Sequence, residues 1–586
     1  MNKVYSINGP VVKVRDTHDF SMLEMVRVGK NRLVGEVIGI NSDETTIQVY
    51  ESTTGMRPGE PVEGTGAPVS VTLGPGIISN IFDGIERPLR DIADIDGAFI
   101  SEGVEVSNLD EKRQWDVTVK VAVGDEVTSG QIYATCPETG VIEHRCLIPP
   151  GLAGRVVYAA PDGKYRINDR ILDIEDGAGN IHTVTMCQKW PIKTPRPFRR
   201  RLPIDRPLIT GQRIIDTMFP IAKGGTAAVP GGFGTGKTMT QHQIAKWCDA
   251  DIIVYIGCGE RGNEMTQVLE EFAGLVDPRN DHPLTDRTVL IANTSNMPVA
   301  AREASIYTGI TIAEYYRDMG YHIAIMADST SRWAEALREI SGRLEEMPAE
   351  EGFPAYLPSR LAAFYERAGM VEPYGADMGS VSIIGAVSPQ GSDFSEPVTQ
   401  NTKRFVRCFW ALDKSLAYAR HYPAINWNNS YSEYTDDIAA FYNDSVDKTF
   451  IACRSRIASL LAEENKLMEI VKLIGSDVLP DDQKLIIETA RVIRVGFLQQ
   501  NAYHADDTYV PLEKQFRMMK AILLLYDRAV EAAGRGVTFS DILATGLFDT
   551  IVKMKYEIPN KELNKFSELE INIESALSEL SGDAEL

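Results

Sequence analysis

The sequence predicts a multidomain chain, in the order N-terminal β-barrel, inserted β-rich module, α/β domain with a parallel sheet, and C-terminal α-helical domain. Its 586 residues exceed what one hydrophobic core usually encloses. Short β-like runs separated by turns fill the first third, and apolar strands alternate with helical stretches in the middle. Helical periodicity dominates the remainder. Because the pattern changes along the chain, several domains are expected.

The two β-rich regions lie before residue 190. Residues 1–70 alternate short runs of β-forming residues with Gly, Pro, Asp and Asn turns, which predicts a small barrel. A second region of this kind, 110–190, predicts an inserted all-β module. The segment 191–207 is rich in proline and arginine and predicts a connector. Its three adjacent arginines at 199–201 favour a solvated or interfacial linker over the alternative of a polyanion site.

The α/β region extends over residues 208–437. Strands of a parallel sheet that is covered on both faces are apolar throughout. Such runs occur at 251–256, 289–292, 322–327 and 381–387. After residue 438, apolar residues recur at helical spacing in 457–474, 484–498 and 516–532, and the acidic end, 568–586, predicts a short amphipathic helix. The C-terminal domain is therefore predicted to be helical.

The composition argues against several classes of protein. A net charge of −22 makes nucleic acid, or an anionic membrane surface, a poor main partner. The seven cysteines form no C-x-x-C pair, so neither a metal centre nor a disulfide framework is indicated. The N-terminal residues show no signal peptide, and no apolar run approaches ~18 residues. We therefore expect a soluble chain that would act at a membrane only through other subunits.

The most informative motif is the octapeptide at 231–238, which fits the phosphate-binding loop G-x-x-x-x-G-K-[ST]. Glycines let the backbone adopt positive φ and turn its N–H groups toward a phosphate. Lys237 would place a positive charge on the β- and γ-phosphate oxygens, and Thr238 would offer a hydroxyl to Mg²⁺. The loop consists of Gly231, Gly232, Phe233, Gly234, Thr235, Gly236, Lys237 and Thr238. A glycine-rich turn that binds nothing is the alternative.

Two further candidate positions follow apolar strands. Asp328 ends the run 322–327, and because ligands gather at the carboxyl ends of parallel strands, its carboxylate would help to hold Mg²⁺ through water. Alternatively, Asp328 only caps a helix. Glu260 and Arg261 follow the run 251–256, where Glu260 would orient an attacking water and Arg261 would be a phosphate contact or an interface residue. On these residues alone, an ordinary surface Glu–Arg pair is the better explanation.

With these residues assembled, the chain resembles the catalytic A subunits of V-type and A-type rotary ATPases over nearly its whole length. Six motifs stand in the order found in that family. They are Pro-Gly-Gly-Phe-Gly-Thr-Gly-Lys-Thr at 230–238, Gly-Cys-Gly-Glu-Arg-Gly-Asn-Glu at 257–264, Ala-Asp-Ser-Thr-Ser-Arg-Trp-Ala-Glu-Ala at 327–336, Tyr-Leu-Pro-Ser-Arg at 356–360, His-Tyr-Pro-Ala-Ile-Asn-Trp at 421–427 and Phe-Leu-Gln-Gln-Asn-Ala-Tyr at 497–503. Six motifs in order are far more specific than any one of them.

The resemblance implies four domains and their limits. An N-terminal barrel would occupy 1–70, and a RecA-like nucleotide-binding domain with its connectors would occupy 71–109 and 191–437. The β-rich insert at 110–190 would be the bulge that is particular to A subunits. A helical domain, 438–586, would complete the chain.

The resemblance also assigns roles within the site. ATP or ADP with Mg²⁺ would be the substrate, Glu260 the general base, and Lys237 and Arg261 the other catalytic residues. Tyr422 and Tyr503 match the aromatic positions that sandwich adenine in the family. On physical grounds alone, these two tyrosines would be interpreted as ordinary core or surface aromatics.

An assembly is implied as well. Three copies would alternate with three copies of a non-catalytic B subunit in a ring, and an arginine of the partner would complete each site. Central-shaft and peripheral-stalk subunits would be further partners, and a membrane rotor would be a partner only indirectly. ATP hydrolysis or synthesis would be coupled to H⁺ or Na⁺ translocation. The complex would place the chain on the cytoplasmic face of the cell membrane, and no nucleic acid is expected.

Two positions depart from the family, and three other interpretations remain open. Pro or Ala usually stands at Gly232, so the loop is predicted to be more flexible, and Thr235 replaces a cysteine of eukaryotic members, so no disulfide switch is expected there. The alternatives are a RecA-like helicase or terminator, an F-type β or secretion-system ATPase, and a non-hydrolysing structural component of the ring. The acidic charge argues against the first, the β-rich insert against the second, and Glu260 with Lys237 against the third.

Overall fold

The computed structural model describes residues 2–15, 19–97, 100–277, 279–475 and 478–583. They form two compact units. The first comprises Met1–Pro203, Lys223–Ala228 and Ala250–Val406, and the second comprises Ile204–Ala222, Val229–Asp249 and Arg407–Leu586. Both units are therefore built from separate stretches of the sequence.

The first unit begins with a closed antiparallel barrel. Its strands are β1 (Asn2–Asn8), β2 (Val11–Arg15), β3 (Glu24–Val28), β4 (Leu33–Ile40), β5 (Glu44–Val49) and β6 (Pro61–Pro68), paired in the order β1-β2-β5-β4-β3-β6. Alternate side chains point inward, and buried residues such as Val12, Val26 and Val37 fill the interior. The predicted N-terminal barrel is confirmed.

The β-rich insert consists of two four-stranded sheets. Two short strands, β7 (Ser70–Leu73) and β8 (Ile81–Phe82), precede it. The insert contains β9 (Trp115–Val119), β10 (Glu126–Val127), β11 (Ile132–Pro137), β12 (Glu143–Leu147), β13 (Gly154–Ala159), β14 (Gly163–Tyr165), β15 (Leu172–Glu175) and β16 (Ile181–Val184), in the orders β10-β13-β15-β16 and β12-β11-β9-β14. Strand β17 (Gln188–Pro191) pairs antiparallel with β7. The chain thus enters and leaves the insert at neighbouring strands.

A buried carboxylate fixes the insert to its surroundings in the first unit. Glu138 is 4% exposed and accepts hydrogen bonds from the backbone N–H groups of Gly76 (2.8 Å) and Ile78 (3.0 Å). It also contacts His144 Nδ1 at 2.8 Å and accepts from Tyr316 Oη at 2.9 Å. Burial raises the pKa of Glu138, but the charge of His144 and these hydrogen bonds outweigh burial and hold the pKa below its ordinary value.

The α/β part of the first unit is built on a mostly parallel sheet. Its strands are β18 (Arg200–Arg201), β19 (Thr226–Pro230), of which residues 226–228 belong to this unit, β20 (Ile252–Glu260), β21 (Thr288–Thr294), β22 (His322–Asp328), β23 (Gly369–Glu372) and β24 (Gly379–Val387). The order is β19-β24-β22-β20-β21-β8, with β18 and β23 attached antiparallel beside β24. Strands β20 and β24 are buried along their whole length, as expected for a sheet covered on both faces.

The proline- and arginine-rich segment is anchored to the first unit up to residue 203. Arg196 is 2% exposed, and its backbone N–H donates to Glu314 Oε2 at 2.9 Å. Arg199 and Arg200 both pair with Glu372, at 3.5 Å and 2.7 Å. This carboxylate already neutralises part of the arginine charge, which argues against a polyanion site at this position.

The helices alternate with the strands in the first unit and dominate the second. They are α1 (Leu89–Asp96), α2 (Lys237–Trp247), α3 (Gly262–Gly274), α4 (Val299–Asp318), α5 (Thr330–Arg343), α6 (Leu357–Tyr365), α7 (Pro397–Phe405), α8 (Lys414–Tyr418), α9 (Ala439–Ser445), α10 (Phe450–Ile474), α11 (Asp481–Val492), α12 (Ala505–Thr508), α13 (Leu512–Gly534), α14 (Phe539–Ala544), α15 (Leu547–Glu557) and α16 (Lys565–Asp583). Short 3₁₀ turns are Leu284–Arg287, Glu350–Gly352 and Gln390–Ser392, and π-helical turns are Ile214–Met218 and Ile493–Leu498.

The second unit combines the phosphate-binding loop and helix α2 with the C-terminal helices. Two short strands, β25 (Cys408–Phe409) and β26 (Tyr431–Ser432), pair antiparallel in it. The predicted helical C-terminal domain is confirmed, and its last helix, α16, is longer than the short helix that was expected. Residues 584–586 of that prediction lie outside the described residues. In the ranges that the structure describes, no helix is long and apolar enough to cross a membrane.

Candidate functional site

The phosphate-binding loop lies between β19 and α2, in the second unit. Gly234 and Gly236 have φ angles of +77° and +89°, a region that side chains other than hydrogen disfavour. A Cβ atom on Gly231 would lie 2.5 Å from Thr235 Oγ1 and 2.8 Å from Leu412 Cβ. The local conformation therefore requires glycine at all three positions.

Lys237 lies across this loop. Its Nζ donates to the carbonyl oxygens of Gly231 (2.8 Å) and Gly232 (3.1 Å). The Gly232 carbonyl also accepts from Thr235 Oγ1 at 2.8 Å. Lys237 and Thr238 are the first residues of α2, so the positive end of the helix dipole coincides with the lysine charge. An anion bound at this point would be stabilised by both.

A cavity of about 630 Å³ adjoins the loop within the second unit. Gly234 and Gly236 line it, together with Tyr422 and Tyr503. The backbone N–H of Gln500 donates to the Tyr422 carbonyl at 2.8 Å and so joins the two tyrosine-bearing segments. The two tyrosines are 44% and 92% exposed, which leaves their rings available to a ligand. The structure thus brings the predicted adenine-binding tyrosines and the loop to one cavity of nucleotide size.

The cavity also has walls that the sequence did not predict. Met239, Thr240 and Gln243 line it from α2, where their spacing after Lys237 places them near one face of the helix. That spacing was a usable signal. Tyr556 lines the cavity from α15, and its ring centroid lies 4.8 Å from that of His504. No local pattern marks this tyrosine, because only tertiary packing brings α15 to the cavity.

A second group of predicted residues lies at the carboxyl ends of neighbouring strands in the first unit. Glu260 ends β20 and Asp328 ends β22, and the register pairs Gly257 with Asp328. Both carboxylates are buried, with 9% and 2% of their residue surface exposed. Gly259 has φ +73°, and a Cβ there would lie 2.8 Å from Arg302 Nε. Glycine directly before Glu260 thus lets the strand end reach this crowded position.

The electrostatics of this strand-end group are unusual. Burial and the charge of Asp328 raise the pKa of Glu260 to about 8, with a further contribution from its hydrogen bond with Glu264. Arg332 acts in the opposite direction, with its Nε 3.2 Å from Glu260 Oε1. Tyr255 Oη donates to Asp328 Oδ2 at 3.1 Å. Two buried carboxyl groups with one arginine form a site that favours an additional proton or cation.

The remaining strand-end residues occupy helix starts. Ser329, and not Asp328, stands at the N-cap of α5, so the helix-capping alternative for Asp328 is not what the structure shows. Arg261 is exposed at the N-cap of α3. The sequence assigned no role to Arg332, although it lies four residues after Asp328 in one of the motifs. No local pattern identifies it, because its partner Glu260 ends β20 and only tertiary packing brings α5 to that strand end.

Family models match successive parts of the chain. The ATP synthase alpha/beta family β-barrel domain matches residues 4–66, and the ATP synthase alpha/beta subunit barrel-sandwich domain matches 106–193. The nucleotide-binding domain of the same family matches 211–432, and the C-terminal domain of V and A type ATP synthase matches 439–542. The predicted sequence of domain types is therefore confirmed.

Three relatives align over nearly the full length. The V-type ATP synthase alpha chain 2 of Clostridium tetani is 60% identical over 98% of this chain and 97% of its own length. The V-type ATP synthase alpha chain of Halothermothrix orenii is 60% identical, over 99% and 98%. The A-type ATP synthase A subunit of Methanopyrus kandleri is 57% identical, over 99% of both chains.

The fold is also found in a solved structure of low sequence identity. The assembled ATPase EscN of the enteropathogenic E. coli type III secretion system superposes with a TM-score of 0.63 at 21% identity, over 89% of this chain and 100% of that chain. The likeness to EscN concerns the fold alone, whereas the relatives above confirm the resemblance inferred from the six motifs. The chain belongs to the ATP synthase alpha/beta family, among the alpha chains, or A subunits, of the V-type and A-type ATP synthases.

Proposed function

We propose that this chain binds ATP in the cavity beside the phosphate-binding loop and turns it over as the catalytic subunit of a rotary ATP synthase. Its activity is ATP hydrolysis or synthesis coupled to ion transport. The observation that carries the proposal is the cavity that the loop shares with Tyr422 and Tyr503. The base would lie between these two rings and the phosphates would lie on the loop.

The phosphates are assigned to residues 231–238. The ammonium group of Lys237 would exchange the carbonyls of Gly231 and Gly232 for β- and γ-phosphate oxygens. As the six motifs imply, the Thr238 hydroxyl and the Asp328 carboxylate are assigned to Mg²⁺, because each is an oxygen donor of the kind that Mg²⁺ prefers. Among the described residues, no cluster of three or more His, Cys, Asp or Glu is suited to hold a metal. Bound with the nucleotide, Mg²⁺ would neutralise charge that develops on the phosphates.

Glu260 is assigned to the attacking water. A general base must be ionised, whereas burial raises the pKa of Glu260 to about 8. Positive charge nearby favours the ionised form, and Arg332 already supplies one such charge at 3.2 Å. The carboxylate would orient the water and accept its proton as the γ-phosphate is cleaved. Arg261 is assigned to a phosphate contact.

The chain is one component of a multisubunit assembly, and we propose its arrangement. Three copies alternate with three non-catalytic B subunits, and an arginine of the B subunit completes each site in trans. Central-shaft and peripheral-stalk subunits are further partners, and this chain is coupled only indirectly to a membrane rotor, through which H⁺ or Na⁺ is moved. The ring lies on the cytoplasmic face of the membrane. Support for this arrangement comes from relatives that share the whole length of the chain.

Two variants test the assignment of roles. In the ring reconstituted with the B subunit, Glu260→Gln should lower steady-state ATP hydrolysis by at least about 10²-fold, because the water loses its base. The dissociation constant for ATP should stay within about twofold of that of the wild type. Lys237→Ala should instead weaken ATP binding itself, because the phosphates lose their cation. ATPase assays and calorimetric titration of both variants separate the two effects.

Opposite outcomes are easily recognised. Retained turnover in Glu260→Gln would remove this residue from the role of base. Unchanged ATP affinity in Lys237→Ala would separate the loop from the nucleotide. If the wild-type ring bound ATP without any turnover, the chain would be a structural nucleotide-binding component.

A further inference from the structure

Four charged side chains are buried behind the segments that line the cavity, within the second unit. Arg213, Asp507 and Lys514 are each 0% exposed, and Lys555 is 3% exposed. Burial, with the positive charge of Arg213, lowers the pKa of Lys514 and of Lys555 to about 8. Burying charge is costly unless the groups are paired and hydrogen-bonded. The contacts of this buried charge cluster therefore indicate what it stabilises.

Two members of the cluster hold the backbone of one segment. Lys555 Nζ donates to the carbonyl oxygens of Val495 (2.7 Å) and Gln499 (3.1 Å). Arg213 Nη2 donates to the same Gln499 carbonyl at 2.7 Å, and its Nε donates to the Phe497 carbonyl. Hydrogen bonds from charged donors are about twice as strong as neutral ones. The backbone of residues 495–499 is thus held by two cationic side chains.

Asp507 holds the next residues of the segment. Its Oδ2 accepts from the backbone N–H of Asn501 at 2.7 Å, while its Oδ1 pairs with Arg213. The backbone N–H of Arg213 donates to Gln500 Oε1 at 2.9 Å. Asn501 Oδ1 in turn accepts from the backbone N–H of Tyr503 at 3.0 Å. Contacts therefore run without interruption from the cluster to the residue that carries the exposed ring.

The segment held in this way is a wall of the nucleotide cavity. Residues 499–503 line the cavity, whereas Arg213, Asp507 and Lys555 do not. Tyr503 is 92% exposed, so packing contributes little to the direction of its ring, which depends on its backbone. Lys555 lies directly before Tyr556, another residue that lines the cavity. Two adjacent residues of α15 therefore act on the same wall: Lys555 holds the segment, and Tyr556 lines the cavity.

We propose that Lys555 is a positioning residue for the nucleobase. Together with Arg213 and Asp507, it fixes residues 499–503 so that the ring of Tyr503 contacts the base. The inference rests on the proposed function, since it requires ATP in this cavity. The cluster acts on the base side of the cavity and leaves the phosphate-binding loop unchanged. Affinity for ATP therefore depends on the cluster, and affinity for the phosphate chain alone does not.

The test compares two ligands on one variant of the full chain. Lys555→Met removes the ammonium group and keeps a long side chain. By calorimetric titration with Mg²⁺ present, it should raise the dissociation constant for ATP by about tenfold, the loss expected for two charge-assisted hydrogen bonds that order a contact. The dissociation constant for inorganic tripolyphosphate should stay within about twofold. The matched control is Lys520→Met, since Lys520 is an exposed lysine of α13 that pairs with Glu570 and should change neither value.

A merely structural role would give a different result. General loosening of the unit would weaken both ligands alike, and equal losses, or no loss for ATP, would overturn the inference. If Lys555→Met fails to fold, Asp507→Asn decides by the same ratio, because it keeps the side-chain volume and removes the charge that faces Arg213. A wild-type chain that binds ATP no better than tripolyphosphate would overturn the proposed base site itself. A wild-type preference for ATP that the variant retains would overturn only the positioning role.

Discussion

Gly231 shows how tightly the phosphate-binding loop is packed. A methyl group there would meet Thr235 Oγ1 at 2.5 Å and Leu412 Cβ at 2.8 Å. Gly231→Ala should therefore shift the loop and raise the dissociation constant for ATP by about tenfold or more, as expected for overpacking of roughly 1–3 kcal/mol. Calorimetric titration measures this change.

The control for Gly231→Ala is Gly534→Ala. Gly534 ends α13, and a Cβ there meets nothing within 4 Å. Alanine in this helix should leave ATP binding unchanged and stabilise the chain slightly. Unaltered ATP affinity in Gly231→Ala would show that the loop tolerates a side chain at this position and would contradict the prediction.

Single residues were predictable where a motif fixes both type and spacing. Lys237, Glu260 and Asp328 were identified from motifs, and the structure places each of them at a helix start or a strand end. Arg332 and Lys555 were not identified, because their roles depend on which elements lie side by side in space. The flexibility predicted for Gly232 stays a prediction, although its carbonyl accepts two side-chain hydrogen bonds, which restrain the loop.

Glu138 anchors the β-rich insert, because its contacts join strand β12 of the insert to helix α4. Glu138→Ala leaves the buried His144 ring and the backbone N–H groups of Gly76 and Ile78 without their acceptor, which costs about 1–3 kcal/mol for each buried group. Hydrogen exchange of peptides from 106–193, followed by mass spectrometry, should show faster exchange. The control is Glu143→Ala in strand β12. The Glu143 side chain is 56% exposed, and its pairing with Arg145 contributes little to stability. Equal exchange in both variants would contradict the anchoring role.

Elements were predictable from periodicity, and their ends were less so. The run 251–256 predicted a strand, and β20 continues to Glu260 because pairing with β21 extends to Thr294. Glycines at 257 and 259 made this end resemble a loop in the sequence. Similarly, the helix predicted over 484–498 changes to a π-helical turn at Ile493–Leu498. A shift in hydrogen-bond partner leaves the apolar pattern nearly unchanged, so sequence alone does not reveal it.

The isolated chain is expected to hydrolyse ATP slowly. If a partner arginine completes the site, the isolated chain should hydrolyse ATP about 10³–10⁵-fold more slowly than the ring assembled with the B subunit. Steady-state ATPase assays per catalytic chain measure the ratio. A ring that carries Glu260→Gln serves as the control for contaminating activity. Equal rates for the isolated chain and the ring would contradict a site completed in trans.

The anchored proline- and arginine-rich segment has a consequence for proteolysis. Six basic residues lie between positions 193 and 206, which would make a loose connector an early target for trypsin. Proline follows Arg196 and Arg206 directly, and trypsin cleaves poorly before proline. Residues 200–201 are held in strand β18, whose backbone is paired with β23. The segment should therefore survive a mild trypsin digest intact, and the fragments first released should come from elsewhere in the chain.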